Sequence, residues 1–127
     1  MKIDIDWHDI EKTILVQRYN PGWTWDEFDE YNQITQNMIR EQNNRVDVIA
    51  NFTGNTAIPF GHAMNHARSN MATIPDNMRY MVIVSPNAFI RTLVTMFNSL
   101  RRSDEKFVHC VSTMEQALQW IKQQEPA

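Results

Sequence analysis

Two apolar runs constrain this chain more tightly than any other feature. Tyr80-Met81-Val82-Ile83-Val84 is almost wholly apolar, as a central strand covered on both faces requires. Val46 to Phe52 forms another strand, buried from Val46 to Ala50. Between them Met64, Ala67, Met71 and Ile74 recur at helical spacing, and this helix stops before Pro75. Strand, helix and strand in that order imply parallel pairing through a right-handed crossover.

The flanking segments extend this pattern. Ile3, Ile5 and Trp7 alternate with Lys2, Asp4, Asp6 and His8, which predicts a strand with one wet face. A polar turn at Asp9 to Lys12 leads to a second strand, Thr13 to Tyr19, close enough for an antiparallel hairpin. Asn20-Pro21-Gly22 breaks the chain. Thr24 and Glu27 then form a capping box, with Trp23 and Phe28 at the staple positions. Trp25, Phe28, Tyr31, Ile34 and Met38 predict the buried stripe of a helix that fades near Gln42 to Asn44.

Ser85-Pro86 reads as a cap followed by proline at the first helical position. Phe89, Leu93, Met96, Phe97 and Leu100 carry that helix to Arg101-Arg102. Phe107 to Val111 is a fifth strand, and Thr113-Met114-Glu115-Gln116 opens a last helix with Ala117, Leu118, Trp120 and Ile121. The prediction is one α/β domain over 1–127: a mostly parallel five-stranded sheet with an N-terminal antiparallel hairpin and about four helices.

At 127 residues the chain can bury about two-thirds of its unfolded surface in one core. A net charge of −3 argues against nucleic acid or an anionic membrane as the main partner. The single Cys110 forms no internal disulfide, and acidic residues interrupt the N-terminal apolar pattern, so a cytoplasmic, reducing location is expected. No apolar run approaches the ~20 residues of a membrane span.

Open α/β sheets place ligands at the carboxyl ends of their strands. The third strand ends there in Asn51-Phe52-Thr53-Gly54-Asn55-Thr56-Ala57-Ile58-Pro59-Phe60-Gly61. Ser85 and Asn87 belong to the same edge, with Arg91 in the first turns of the third helix. Thr53, Gly54, Asn55, Thr56, Pro59, Gly61, Ser85, Asn87 and Arg91 are therefore the candidate binding residues. They suit either a phosphate or carboxylate near helix amino ends or a docking surface. Taken singly, Ser85 and Asn87 also suit helix caps, and Thr53 and Asn55 a turn.

The third helix is unusually apolar, since Ile90 and Val94 lie beside its main stripe. The surplus calls for a neighbouring helix, a second subunit through residues 87–101, or an apolar ligand. His62 and His66 share a helical face, which would suit a metal-dependent enzyme, but Ala63-Met64-Asn65 between them lacks the glutamate of a zinc-protease motif. His109 and Cys110 point to opposite faces of a strand and cannot form a nucleophile pair.

The element order and four segments together carry a resemblance. The segments are Pro21 to Phe28, Val46 to Gly54, Met81 to Val84, and Phe107-Val108 with Thr113 to Leu118. The chain resembles the STAS fold of anti-sigma-factor antagonists. It is more similar still to small stand-alone bacterial proteins described as STAS-like or related to CRAL-TRIO lipid-binding domains. Antagonists carry an aspartate-serine pair whose serine is phosphorylated. Ile58-Pro59-Phe60-Gly61 stands in its place, so that switch does not carry over. The resemblance implies a non-enzymatic module, without cofactor, that binds a protein partner or a small anionic ligand. An apolar-ligand or lipid carrier is the alternative, and it requires a cavity under the third helix.

Overall fold

The computed structural model describes residues 2–54, 63–100 and 108–124. Its elements are β1 (Ile3–Trp7), β2 (Ile14–Tyr19), α1 (Trp25–Arg40), β3 (Val46–Asn51), α2 (Ala63–Met71), β4 (Met78–Val84), α3 (Ala88–Leu100), β5 (Val108–Val111) and α4 (Met114–Gln123). The five strands lie side by side in chain order. β1 and β2 pair antiparallel, with Ile3 opposite Tyr19, and every later pair is parallel. The predicted mixed sheet and its four helices are therefore observed.

With strand order equal to chain order, crossovers of one hand place successive connecting helices on one face. Side chains of α1, α2 and α3 pack there against Ile3, Tyr19, Ala50, Phe52 and Val108. α4 covers the opposite face, where Ala117 and Ile121 meet Ile49, Val82 and Val84. Every residue of β3 is buried, as a central strand between two helical layers must be. Among the described residues no helix is long and apolar enough to cross a membrane.

Local chemistry sets the helix starts. Thr24 and Glu27 form the predicted capping box, as do Thr113 and Gln116. The staple rings of Trp23 and Phe28 lie 5.9 Å apart. Gly22, at φ 93, makes the tight entry that turns Trp23 into the core.

Two details differ from the sequence reading. α3 begins at Ala88, and its amino-end cap is Asn87, whose Oδ1 accepts from the Phe89 amide at 2.8 Å. Ser85 instead accepts from the Asn87 amide at 3.0 Å, two residues before the cap. The buried face of α1 is Asn32, Thr35, Gln36 and Ile39, whereas Ile34 of the expected stripe is 41% exposed. Trp25, Phe28, Tyr31 and Met38 of that stripe pack partly buried against the core, and the polar Asn32, Thr35 and Gln36 are buried beside them.

A candidate apolar binding cavity

The buried polar face of α1 meets Gln17. Leu15, Gln17 and Tyr19 occupy alternate positions of β2 and point toward the three-helix face. Gln17 Nε2 donates to Thr35 Oγ1 at 2.8 Å and to Asn32 Oδ1 at 3.2 Å. Tyr19 Oη donates to Gln17 Oε1 at 3.2 Å. Asn32 Nδ2 donates to Tyr19 Oη at 3.3 Å and to the Phe28 carbonyl at 2.8 Å. Both amides thus use both hydrogens and their oxygen, which removes most of the cost of burying them. Burial pushes the Tyr19 phenol far above its ordinary pKa against the opposing bond from Asn32, so the group stays neutral.

Beside this network lies a half-open cavity of about 140 Å³ between the sheet, α1, α2 and α3. Tyr19, Phe52 and Ile83 place it toward the carboxyl ends of β2, β3 and β4. Ile90, Leu93, Val94 and Phe97 form its α3 side. Of these, Ile90, Val94 and Phe97 are buried, whereas Met96 of the same helix is 47% exposed. Aromatic rings build another wall: Tyr19 stacks on Phe52 with centroids 4.1 Å apart, and Trp23 meets Trp25 edge to face at 4.9 Å.

The α1–α2 seam closes a further side. Asp29 faces His66 Nδ1 at 2.9 and 3.1 Å, so the proton sits on that nitrogen. Asn70 Nδ2 donates to Asp29 Oδ1 at 2.9 Å and to the His66 carbonyl at 2.8 Å. The His66 ring stacks on Trp25 with centroids 5.0 Å apart and planes within 8°. Asp29 therefore braces Trp25 through His66, and Asn70 directly. Both Trp25 and Asn70 line the cavity.

The described candidates Thr53, Gly54, Ser85, Asn87 and Arg91 fall at the same end of the sheet but are not among the described residues that line the cavity. Thr53 and Gly54 are exposed just after β3. The Thr53 amide and hydroxyl both turn back to Asn51 Oδ1, at 2.9 and 2.7 Å. Ser85 is fully buried, and Asn87 caps α3. Arg91 is exposed and donates to Ser112 Oγ. Asn55, Thr56, Pro59 and Gly61 lie outside the described residues, as does His62 of the histidine pair. Among the described residues no three His, Cys, Asp or Glu side chains gather as a metal site.

His109 and Cys110 diverge as expected. His109 stacks on Trp120 of α4 at 4.2 Å, and Cys110 joins the α3 side. Burial lowers the His109 pKa, and burial raises that of the Cys110 thiol despite the nearby Arg91 charge. Among the described residues no side-chain hydroxyl or thiol bonds to His66.

The sequence reading passed over Gln17, Asp29, Asn32 and Asn70. A signal was present for Gln17, since the alternation of Leu15 and Tyr19 places it on their face. Asn32 and Ile39 are seven apart on α1, which is also a same-face spacing. No protein-family model matches this chain, and no curated protein matches it.

Proposed function

We propose that this chain is a non-enzymatic binding module of the STAS-like type, and that it holds a small apolar molecule between the sheet and helices α1 to α3. The cavity of about 140 Å³ is the observation that carries this reading. Dry apolar cavities of roughly 150 Å³ accept a benzene-sized guest. Its place toward the carboxyl ends of the strands agrees with where open sheets bind ligands. The hairpin followed by parallel strand–helix units supports the STAS-like reading, and a void beneath α3 is what a carrier of apolar ligands requires.

Among the described groups of the sheet edge, Thr53, Ser85 and Asn87 are engaged in turns and a helix cap, which weighs against an anion as the main ligand. The test is thermal unfolding with and without toluene. At 100 times its dissociation constant a ligand adds about 2.7 kcal/mol, which raises Tm by several degrees. Ala67→Leu, which fills the cavity from α2, is expected to raise Tm and abolish the toluene effect. No toluene-dependent shift in the wild type would refute the proposal.

A further inference from the structure

We infer that the outer edge of β5 is a latent pairing surface for a second copy of this chain, and that the Asn98 carboxamide holds it shut. β1 and β5 are the two edge strands of the sheet. An edge strand presents unpaired N–H and C=O groups that can template another strand, so each edge needs a guard.

On β5 the guard is a side chain. The Ser85 amide donates to the Val111 carbonyl, so Val111 and His109 turn their backbone groups to β4. Val108, Cys110 and Ser112 turn theirs outward. Asn98 Nδ2 donates to the Val108 carbonyl at 2.8 Å, and Asn98 Oδ1 accepts from the Val108 amide at 3.0 Å. One carboxamide thus makes the two bonds that the opposite residue of an antiparallel strand would make. Gln116 Oε1 accepts from the Ser112 amide at 2.9 Å. Among the described residues the Cys110 N–H and C=O have no partner. Cys110 lines an open groove with Arg91 and Thr95 of α3 and Gln119 and Trp120 of α4.

β1 is guarded by charge instead. Pairing two β1 strands antiparallel about Ile5 sets Asp4 opposite Asp6, and pairing about either aspartate sets it opposite its own copy. Like charges directly opposite disfavour each of these registers. Asp6 Oδ1 also takes the outward Trp7 amide at 2.8 Å. β5 carries no Asp, Glu, Lys or Arg. Paired about Cys110, it sets Val108 opposite Ser112 and His109 opposite Val111, with no like charges opposed. A second copy is therefore the strand that β5 accepts and β1 refuses, and Asn98 occupies its place.

Sedimentation velocity of the wild type and Asn98→Ala across a range of concentrations tests this, under reducing conditions that exclude a Cys110 disulfide. The variant is expected to reach double the wild-type mass as concentration rises. Hydrogen exchange at its Cys110 amide is expected to slow by about tenfold or more in the larger species. A folded variant with the wild-type mass at every concentration would overturn the inference. Doubling with unchanged Cys110 exchange would also overturn it, because the contact would then lie on another surface, such as α3. Asn98→Asp keeps the size and the acceptor but loses the donor to the Val108 carbonyl, and it gives the same readout if Asn98→Ala does not fold. In the wild type itself the Val108 amide is expected to exchange at least about tenfold more slowly than the Cys110 amide. Equal protection of the two would overturn the guard without any variant.

Discussion

Gln17 on β2 and Thr35 on α1 are joined by a 2.8 Å hydrogen bond, Nε2 to Oγ1, where a sheet residue and a helix residue both lie buried. Asn32 and Tyr19 complete the network. A satisfied buried network fixes how the helix sits on the sheet, because any other register strands several polar atoms at once. Here the helix so fixed is the one that carries Trp25, Phe28 and Asn32 into the cavity wall.

Gln17→Leu is expected to lower unfolding free energy by about 2 kcal/mol, since it removes the Gln17 donor to Asn32 Oδ1 and the Gln17 acceptor of the Tyr19 hydroxyl. Adding Asn32→Leu should restore a substantial part of that loss, because replacing both partners removes the unmet groups. Urea unfolding of the two single variants and the double variant measures this. Strictly additive losses would contradict the network.

Across the sheet from this network, Asp47 on β3 is buried and bound by Arg79 on β4, from Nε at 3.0 Å and Nη2 at 2.7 Å. The Tyr80 amide donates to the same carboxylate at 3.0 Å. Arg79→Met leaves a buried carboxylate without its cation and is expected to cost about 3 kcal/mol. A shift in the urea midpoint worth less than about 1 kcal/mol would show that water replaces the guanidinium freely.

His109 supplies a pH dependence with a definite sign. Burial holds its native pKa below the ordinary 6.5. As pH falls, the unfolded chain takes up this proton first, which favours unfolding. The contribution of the neutral ring is therefore intact above pH 6.5 and is lost as pH drops from there through the lower native value. His109→Phe keeps an aromatic ring against Trp120 and removes the titration. The wild type should lose more stability than this variant between pH 7 and pH 5, and parallel stability curves would exclude the effect.

The architecture was legible because its signals are local. Apolar alternation, capping boxes at Thr24 and Thr113, and the breaker at Asn20 to Gly22 each act within a few residues. Ile90 and Val94 beside the main stripe hinted at a surplus of apolar surface on α3, and both residues line the cavity observed against that helix. What the site consists of was not legible. Asp29 and His66 stand 37 residues apart, and Gln17 and Thr35 stand 18 apart. Neither pair has a spacing rule, because each depends on how α1 is set against the sheet and α2. Ser85 misled for the opposite reason: a serine before proline resembles a cap in any context, and only the observed start of α3 shows that Asn87 does that work.

The most direct test of an apolar site between the sheet and α1 to α3 is methyl NMR of methionine-labelled protein titrated with toluene. Met71 and Met81 line the cavity, whereas Met114 packs on the opposite face and Met96 is 47% exposed. The account predicts that the Met71 and Met81 methyl signals move in a saturable manner while those of Met96 and Met114 hold still. Saturable movement of Met114, or no movement of Met71 and Met81, would contradict it.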